Sequence, residues 1–213
     1  DENIDVSMCA SVVITKSNHP IINVQELATQ LLNHAKRYNN QLNRKYNKNV
    51  GAIDFRVITS PAAKPLNQII KTEYELYKKQ SRDPYHLYDV EYWATCKPYP
   101  CQMIDGLNRP TLENLINARQ TLVTKKFPRN KIHLWQQIIQ EPSELHTQLR
   151  LLTLSSHLNL KQQQTMQKVT NELKLSNSSE IFLSESFPQN GKYSPLADLE
   201  EIFEFVDQEQ PDV

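Results

Sequence analysis

Two apolar runs flank an amphipathic segment in the first sixty residues. The run at 8–14 is continuous and rich in β-branched side chains, which is typical of a strand covered on both faces. After a polar loop that ends at Pro20, we expect Asn23 to cap a helix and Glu26 to complete a capping box. The second run, at 52–59, predicts a returning strand. Strand, crossover helix and strand form a βαβ unit, which we expect to be parallel and right-handed.

The helix between these strands has apolar side chains at helical spacing, which indicates one buried face. They are Val24, Leu27, Ala28, Leu31, Leu32, Ala35, Tyr38 and Leu42. The C-terminal half of the same helix is basic, from Lys36 and Arg37 to Lys48. A solvated face, with cations near the negative end of the helix dipole, is the simpler interpretation of this charge. Contact with phosphate is the alternative.

Charged and apolar side chains alternate along the second strand. Asp54 and Arg56 fall on one face, and we expect them to form an ion pair on a half-exposed edge. Beyond this strand, a loop is indicated at 61–65 and a helix is predicted at 66–79.

The segment at 81–110 is rich in aromatic residues and prolines and predicts one short strand at 90–95. Its aromatic side chains lie near Lys97 and Arg109 in sequence. They form either a small core beneath a long loop or a platform for single-stranded bases. Cys96 and Cys101 have a spacing that zinc sites use, but no second cysteine pair completes the ligands, so ordinary thiols are the simpler interpretation.

The rest of the chain has the spacing of helices. We expect caps at Thr111 and Asn130, a third helix opened by residues 142–143, a fourth near 160–175 and a last helix at 195–207. The last helix combines an apolar stripe, expected to dock onto the preceding helices, with an acidic outer face. The stripe consists of Leu196, Leu199, Ile202, Phe203 and Val206, and the acidic face of Asp198, Glu200, Glu201 and Glu204.

A basic cluster lies at the junction of two predicted helices and contains Lys125, Lys126, Arg129 and Lys131. A solvated turn is the simpler interpretation. In a ribonucleoprotein the same cluster would contact the RNA backbone, and each phosphate contact would add salt dependence.

Composition further restricts the classes of function that this chain could have. The 213 residues suffice for one large domain or two small ones, and 24 basic residues balance 24 acidic ones, which argues against wholesale coating by nucleic acid. With three cysteines, no signal peptide and no apolar run of transmembrane length, we expect a soluble cytoplasmic protein. Three isolated glycines exclude a P-loop and a G-x-G-x-x-G motif, and scattered histidines disfavour nucleophilic hydrolysis.

Five stretches of the chain carry a resemblance to a known family. They are CASVVITKSNHPI, ELATQLLNHAKR, AIDFRVITS, KFPRNKIHLWQQII and SPLADLEEIFEFV. In this order they resemble the later part of the palm domain, and the helices after it, of the large polymerase-like subunit of type III CRISPR effector complexes. That palm is related to the GGDEF nucleotide cyclases. The stretches are spread from end to end of the chain.

The resemblance implies an α+β fold with three parts. These are a partial palm-like (ferredoxin-like) βαβ unit at 1–80, an aromatic and proline-rich connection at 81–110, and a helical region at 111–213. It also implies a part in antiviral defence, through cyclic-oligonucleotide synthesis from ATP. The family's catalytic Gly-Gly-Asp hairpin has no counterpart in this chain and would fall upstream of Asp1. ATP and Mg²⁺ are therefore expected only with the upstream half, and neither is expected to bind this chain alone.

One residue of the cyclase phosphate site has a match here. The equivalent cyclase helix carries an Ala-Lys pair whose lysine meets the nucleotide phosphates, and Ala35 and Lys36 match that pair. The glycine, arginine and asparagine that follow in cyclases are replaced at 39–41 by Asn, Asn and Gln. The resemblance thus predicts Lys36 as a phosphate ligand and supplies no catalytic or metal-binding residue. The partners it implies are the upstream palm half, other effector subunits and guide RNA at Lys125, Lys126 and Arg129.

Two further functions fit the same residues. A non-catalytic scaffold of a ribonucleoprotein complex would keep the fold and dock other subunits through its helices. A degenerate cyclase-like domain would bind a nucleotide as a regulator. A Gly-Gly-Asp hairpin encoded just before Asp1 would favour the enzyme part over both.

Overall fold

A computed structural model describes residues 7–58, 64–80, 89–141, 144–175, 182–185 and 191–203. These residues form an α+β fold with two small mixed sheets and a set of packed helices. Among them, no helix combines the length and the apolar character that crossing a membrane requires.

The first sheet contains the predicted βαβ unit. Strand β1 (Ala10–Thr15) pairs in parallel with β2 (Ala52–Ile58), and α1 (Ile21–Tyr46) connects them. The parallel pairing is therefore confirmed. A two-residue strand, β5 (Tyr99–Pro100), lies antiparallel on the other side of β2.

The start of α1 differs from the prediction. The helix begins at Ile21 with Pro20 in the cap position, so Asn23 and Glu26 lie inside the helix and cap nothing. Pro20 is extended, with φ −61° and ψ 119°, and its carbonyl oxygen accepts the N–H groups of Asn23 and Val24, so the helix starts three residues earlier than expected.

The predicted helix at 66–79 is correct only in its first half. Helix α2 (Leu66–Ile69) continues as one π-helical turn (Ile70–Tyr74), and the chain then becomes strand β3 (Glu75–Gln80). Strand β3 pairs with β4 (Asp89–Trp93), which agrees with the predicted strand at 90–95. Pairing between strands overrode local helix preference here, because the partner strand satisfies the backbone groups of 75–80.

The second sheet joins distant parts of the chain. Its strand order is β3, β4, β7, β6, where β6 (Leu183–Glu185) and β7 (Gly191–Tyr193) come from the region predicted to be helical. Strand β7 runs parallel to β4, from which it is separated by about a hundred residues of sequence. All three predicted segments of the chain contribute to this sheet.

Five further helices follow: α3 (Leu112–Thr124), α4 (Arg129–Ile139), α5 (Glu144–Ser156), α6 (Leu160–Glu172) and α7 (Leu196–Phe203). The Thr111 cap is confirmed, with Asn114 completing a capping box. Helix α4 begins at Arg129 instead of at Asn130, with Pro128 as the extended residue in the cap position. The predicted opening at 142–143 and the end of the last helix lie outside the described residues.

The largest buried cluster joins the helices to both sheets. It runs from Phe55 on β2 through Leu122 and Trp135 to Leu199 on α7. The stripe of α7 is buried at Leu196, Leu199 and Ile202, as predicted. Two smaller clusters pack α1 against the first sheet and against α2.

Candidate functional site

Lys36 lines a small polar cavity at the N-terminal end of β1. The cavity measures about 310 Å³. Its described lining consists of Ser7, Cys9, Lys36, Asn39, Asn40 and Asn49, and Lys36 is the one charged side chain among them. Lys36 is exposed and forms no ion pair with any described residue, whereas its neighbour Ala35 is fully buried. A single cation beside neutral amides and a hydroxyl can accept an anion, since no carboxylate occurs among the described lining residues.

Asn39 holds the walls of this cavity together. Its side-chain amide donates to Asn49 Oδ1 at 2.7 Å and to Ser7 Oγ at 3.3 Å, and its Oδ1 accepts the Gly51 N–H at 3.0 Å. The Ser7 hydroxyl also donates to Asn49. The lead into β1, the middle of α1 and the turn before β2 are therefore tied at one point. Two of the three amides that replace the cyclase residues, Asn39 and Asn40, thus belong to this cavity.

Gly51 allows the cavity walls to approach. Its φ of 74° lies in the left-handed region, and a Cβ at this position would clash with the Met8 carbonyl oxygen. Glycine is needed here because both the backbone angle and the close approach exclude a side chain.

The basic residues near Lys36 do not share its cavity. Arg37 lines a different cavity on the other side of α1, while Arg44 and Lys45 lie in the last turn. Lys45 lies 5.2 Å from the centre of the Tyr46 ring. The cluster that looks continuous in sequence is thus divided by helix geometry, because successive residues are about 100° apart around the axis.

A buried ionic network lies elsewhere, between β2, the segment after β4 and α7. Asp198 accepts hydrogen bonds from Thr95 Oγ1 at 2.6 Å, the Cys96 N–H at 2.8 Å and Tyr99 Oη at 2.7 Å. The ammonium of Lys97, which is fully buried, lies 2.5 Å from Glu201 Oε2 and 3.7 Å from Asp198.

Glu201 connects this network to β2, the central strand of the first sheet. Its Oε1 accepts the Val57 N–H at 2.7 Å, and its Oε2 lies 3.7 Å from Arg56. Arg56 also pairs with Glu73 and donates to Tyr74 Oη at 3.4 Å. The network therefore fastens α7 to β2 at Val57, a residue that pairs with Ile14 of β1 and lies beyond the pairing of Ala52 and Ile53 with β5.

Burial changes the proton affinity of the network. It raises the pKa of Asp198 to about 6, against the opposing effects of Lys97 and the hydrogen bonds from Thr95 and Tyr99. Burial disfavours the charge on Lys97, but Glu201, Tyr74 and Asp198 together outweigh it and raise its pKa. Lys97 is therefore a permanent cation at neutral pH.

Two sequence-based expectations for these residues are wrong. Asp198 was expected on an acidic outer face but is only 1% exposed, because the buried Lys97 and three donors meet it there. Asp54 and Arg56 do not pair with each other: Asp54 Oδ2 lies 2.7 Å from His34 Nδ1, and Arg56 pairs with Glu73 and Glu201. Both strand residues find partners on helices packed against the sheet, which sequence alternation alone does not reveal.

The basic cluster at 125–131 contributes to a larger groove. Lys125 and Lys126 line a cavity of about 490 Å³ together with Lys161 and Lys168 of α6, and no carboxylate occurs in its described lining. Arg129 does not line it. Lys161 and Lys168 were missed, although their seven-residue spacing places both on one face of a helix.

The segment at 89–110 contains two cysteines and two cations for which the sequence suggested a metal site or a nucleic-acid contact. Cys96 is buried and Cys101 is exposed, and within the described residues no group of three His, Cys, Asp or Glu side chains could hold a metal ion. Lys97 and Arg109 are buried rather than available to a strand of bases at the surface.

Comparison of the chain with protein-family models, with curated proteins and with solved structures finds no match.

Proposed function

We propose that this chain is the C-terminal portion of a palm domain, with the helices that follow it, of the kind found in the large subunit of type III CRISPR effector complexes. The observation that supports this best is the place of Lys36. It stands on the crossover helix beside the residues that lead into β1, in a polar cavity without a carboxylate in its described lining. The family resemblance puts nucleotide phosphates at this lysine.

The proposed roles of the two palm halves follow from the residues that this chain contains. Phosphoryl-transfer chemistry in a palm needs two carboxylates that hold divalent ions over the triphosphate. The 213 residues contain no Gly-Gly-Asp hairpin to present them, so that hairpin, ATP and Mg²⁺ belong to the other palm half. This chain supplies the supporting strand, the helix and Lys36. By itself it should make no oligoadenylate from ATP and Mg²⁺.

The direct pairing of β1 with β2 has a consequence for assembly. In a ferredoxin-like palm the two βαβ units interleave, so a strand of one unit lies between the two strands of the other. Here β1 and β2 pair along six residues. An assembled palm would therefore separate β1 from β2 to admit that strand.

Replacing Lys36 with alanine should weaken ATP binding by the palm assembled from both halves at least tenfold. A charged hydrogen bond to phosphate contributes about 1.5–3 kcal/mol, or roughly tenfold to a hundredfold in affinity. The measurement is calorimetric titration with ATP and Mg²⁺ at one fixed salt concentration. Lys45→Ala is the matched control, since Lys45 has the same charge on the same helix but does not line the cavity. Equal small effects from both variants would show that Lys36 is an exposed, solvated lysine and not a phosphate ligand.

A second candidate function, a scaffold in a ribonucleoprotein complex, is supported by the lysine groove of Lys125, Lys126, Lys161 and Lys168. Four cations face one cavity without a carboxylate in its described lining, although the chain as a whole is neutral. On α6, Lys161 and Lys168 are about 10 Å apart along the helix axis, which suits an extended phosphate backbone better than a single phosphate.

Reversing the charge of Lys161 and Lys168 together should lower the affinity for single-stranded RNA at least tenfold. Each lost phosphate contact also removes about 0.7 from the slope of log K against log salt, so the slope should become shallower by about 1.4. Fluorescence anisotropy over a salt series measures both quantities. The double variant Lys16→Glu/Lys71→Glu, whose lysines are exposed elsewhere, controls for net charge. Identical slopes for the two double variants would show that the groove does not contact RNA.

A further inference from the structure

We propose that a second cavity, between α1 and the second sheet, binds a nucleoside monophosphate. The cavity measures about 560 Å³, within the range of small-molecule sites. It is distinct from the Lys36 cavity: Arg37 lines it and Lys36 does not. The inference does not depend on the proposed palm function.

One wall of this cavity is an aromatic stack. The rings of Trp93 and Tyr193 are parallel to within 10°, with centroids 6.2 Å apart. The Arg109 guanidinium lies 4.0 Å from the centre of the Tyr193 ring and extends this surface. Tyr74, which is buried, contributes to the lining from the π-helical turn after α2. Flat aromatic and guanidinium surfaces of this kind are what a planar base stacks on.

The charge of the lining favours an anion. Arg37, Lys97 and Arg109 contribute three cations, and Glu75 is the one carboxylate in the described lining. The charge of Lys97 is largely met by Glu201 and Asp198. Arg37 is different, because it is exposed and forms no ion pair with any described residue. It is therefore the residue that we assign to the phosphate group.

The polar groups that a ligand would meet in this cavity are mainly cations. The indole Nε1 of Trp93 is inaccessible to solvent, so Trp93 offers the ligand its ring surface and not its N–H group. A purely apolar ligand would leave the cations of the lining unmet.

The two tryptophans of the chain make the proposal testable without a label. Trp93 lines the cavity, whereas Trp135 is 1% exposed and stacks on Phe127 in the helical core. Titration of the whole chain with AMP should quench the emission of Trp93. Trp93→Phe should abolish that change while calorimetry still detects AMP. The absence of both a fluorescence change and binding heat for the unaltered chain would overturn the proposal.

Arg37→Ala should weaken AMP binding at least tenfold, and adenosine should bind the unaltered chain at least tenfold more weakly than AMP. Arg44→Ala, an exposed arginine on the same helix outside the cavity, is the control and should bind AMP normally. Equal affinities for the two arginine variants, with melting curves like that of the unaltered chain, would also overturn the proposal. The AMP titrations use this chain alone, whereas the palm test uses both halves, so failure here and failure of the palm proposal can be told apart.

Discussion

Replacement of Asp198 by alanine should lower the free energy of unfolding by about 3–5 kcal/mol, the usual cost of removing one partner from a buried ion pair. The Asp198 carboxylate accepts three hydrogen bonds within 2.8 Å and lies 3.7 Å from the buried ammonium of Lys97. Without it, Thr95 and Tyr99 lose their acceptor, and Glu201 is the one close counter-charge that Lys97 retains among the described residues. Chemical denaturation followed by circular dichroism measures the loss.

Two further variants identify the cause of this loss. Glu113→Ala removes an exposed acid and should change stability by well under 1 kcal/mol. Asp198→Asn keeps the size of the side chain but cannot titrate, and its NH2 group replaces one of the two acceptor oxygens. If Asp198→Ala proved no more costly than Glu113→Ala, the carboxylate would not hold α7 to the sheet.

The comparison with Asp198→Asn also has a pH signature. Since burial raises the pKa of Asp198 from 3.8 to about 6, the folded state holds this proton more tightly than the unfolded state. The raised pKa contributes to the free energy of unfolding. This contribution is fully present below about pH 4 and is lost as the pH rises through about 6. The stability of the unaltered chain should therefore fall relative to Asp198→Asn across this window, by about 1.4 kcal/mol for each pKa unit of the shift. A flat difference would mean that Asp198 titrates normally.

The βαβ unit was predictable because its signals are long and local. The β-branched run that became β1 and the eight-residue stripe of α1 agree with each other over some forty residues. Local chemistry also identified Thr111 as a cap. It misplaced the start of α1, since the helix already begins at Ile21, with Pro20 in the cap position.

The second sheet was not predictable from local patterns. Strand β7 has only three residues, and it pairs with β4 across about a hundred residues of sequence. Neither the short length of β7 nor its pairing with a distant strand produces a periodic pattern of apolar residues in the sequence. The same distance hid the buried network, because Lys97 and Asp198 become partners only when α7 packs onto the segment after β4. A weak signal did exist: Asp198 lies four residues before Ile202 and so shares the face of the apolar stripe.

The candidate sites were partly visible in the sequence. Lys36 was identified through its place beside Ala35, but Asn39 and Asn49, which shape its cavity, gave no sign of their roles until α1 and the turn before β2 were brought together. Of the four lysines that line the groove, the sequence identified only Lys125 and Lys126, at the junction of α3 and α4. Its other two lysines lie some 35 residues later, on α6.

The most direct test of the palm proposal is to lock β1 to β2. Thr15 and Ile58 are partners at the ends of these strands, far along β1 from the Lys36 cavity. Adjacent strands lie about 4.8 Å apart, within reach of a disulfide, whereas strands with another strand between them lie about 10 Å apart and beyond it. The double variant Thr15→Cys/Ile58→Cys should therefore oxidise readily in this chain alone, and peptide mapping by mass spectrometry would identify the bond.

The measurement is assembly of the oxidised and the reduced double variant with the palm half that carries the hairpin, together with turnover of ATP and Mg²⁺. The oxidised form should neither assemble nor support turnover above background, since no strand can enter between β1 and β2. Reduction of the same sample should restore both, which makes each sample its own control. Assembly and turnover by the oxidised form at the level of the reduced form would contradict the proposal that this βαβ unit is half of an interleaved palm.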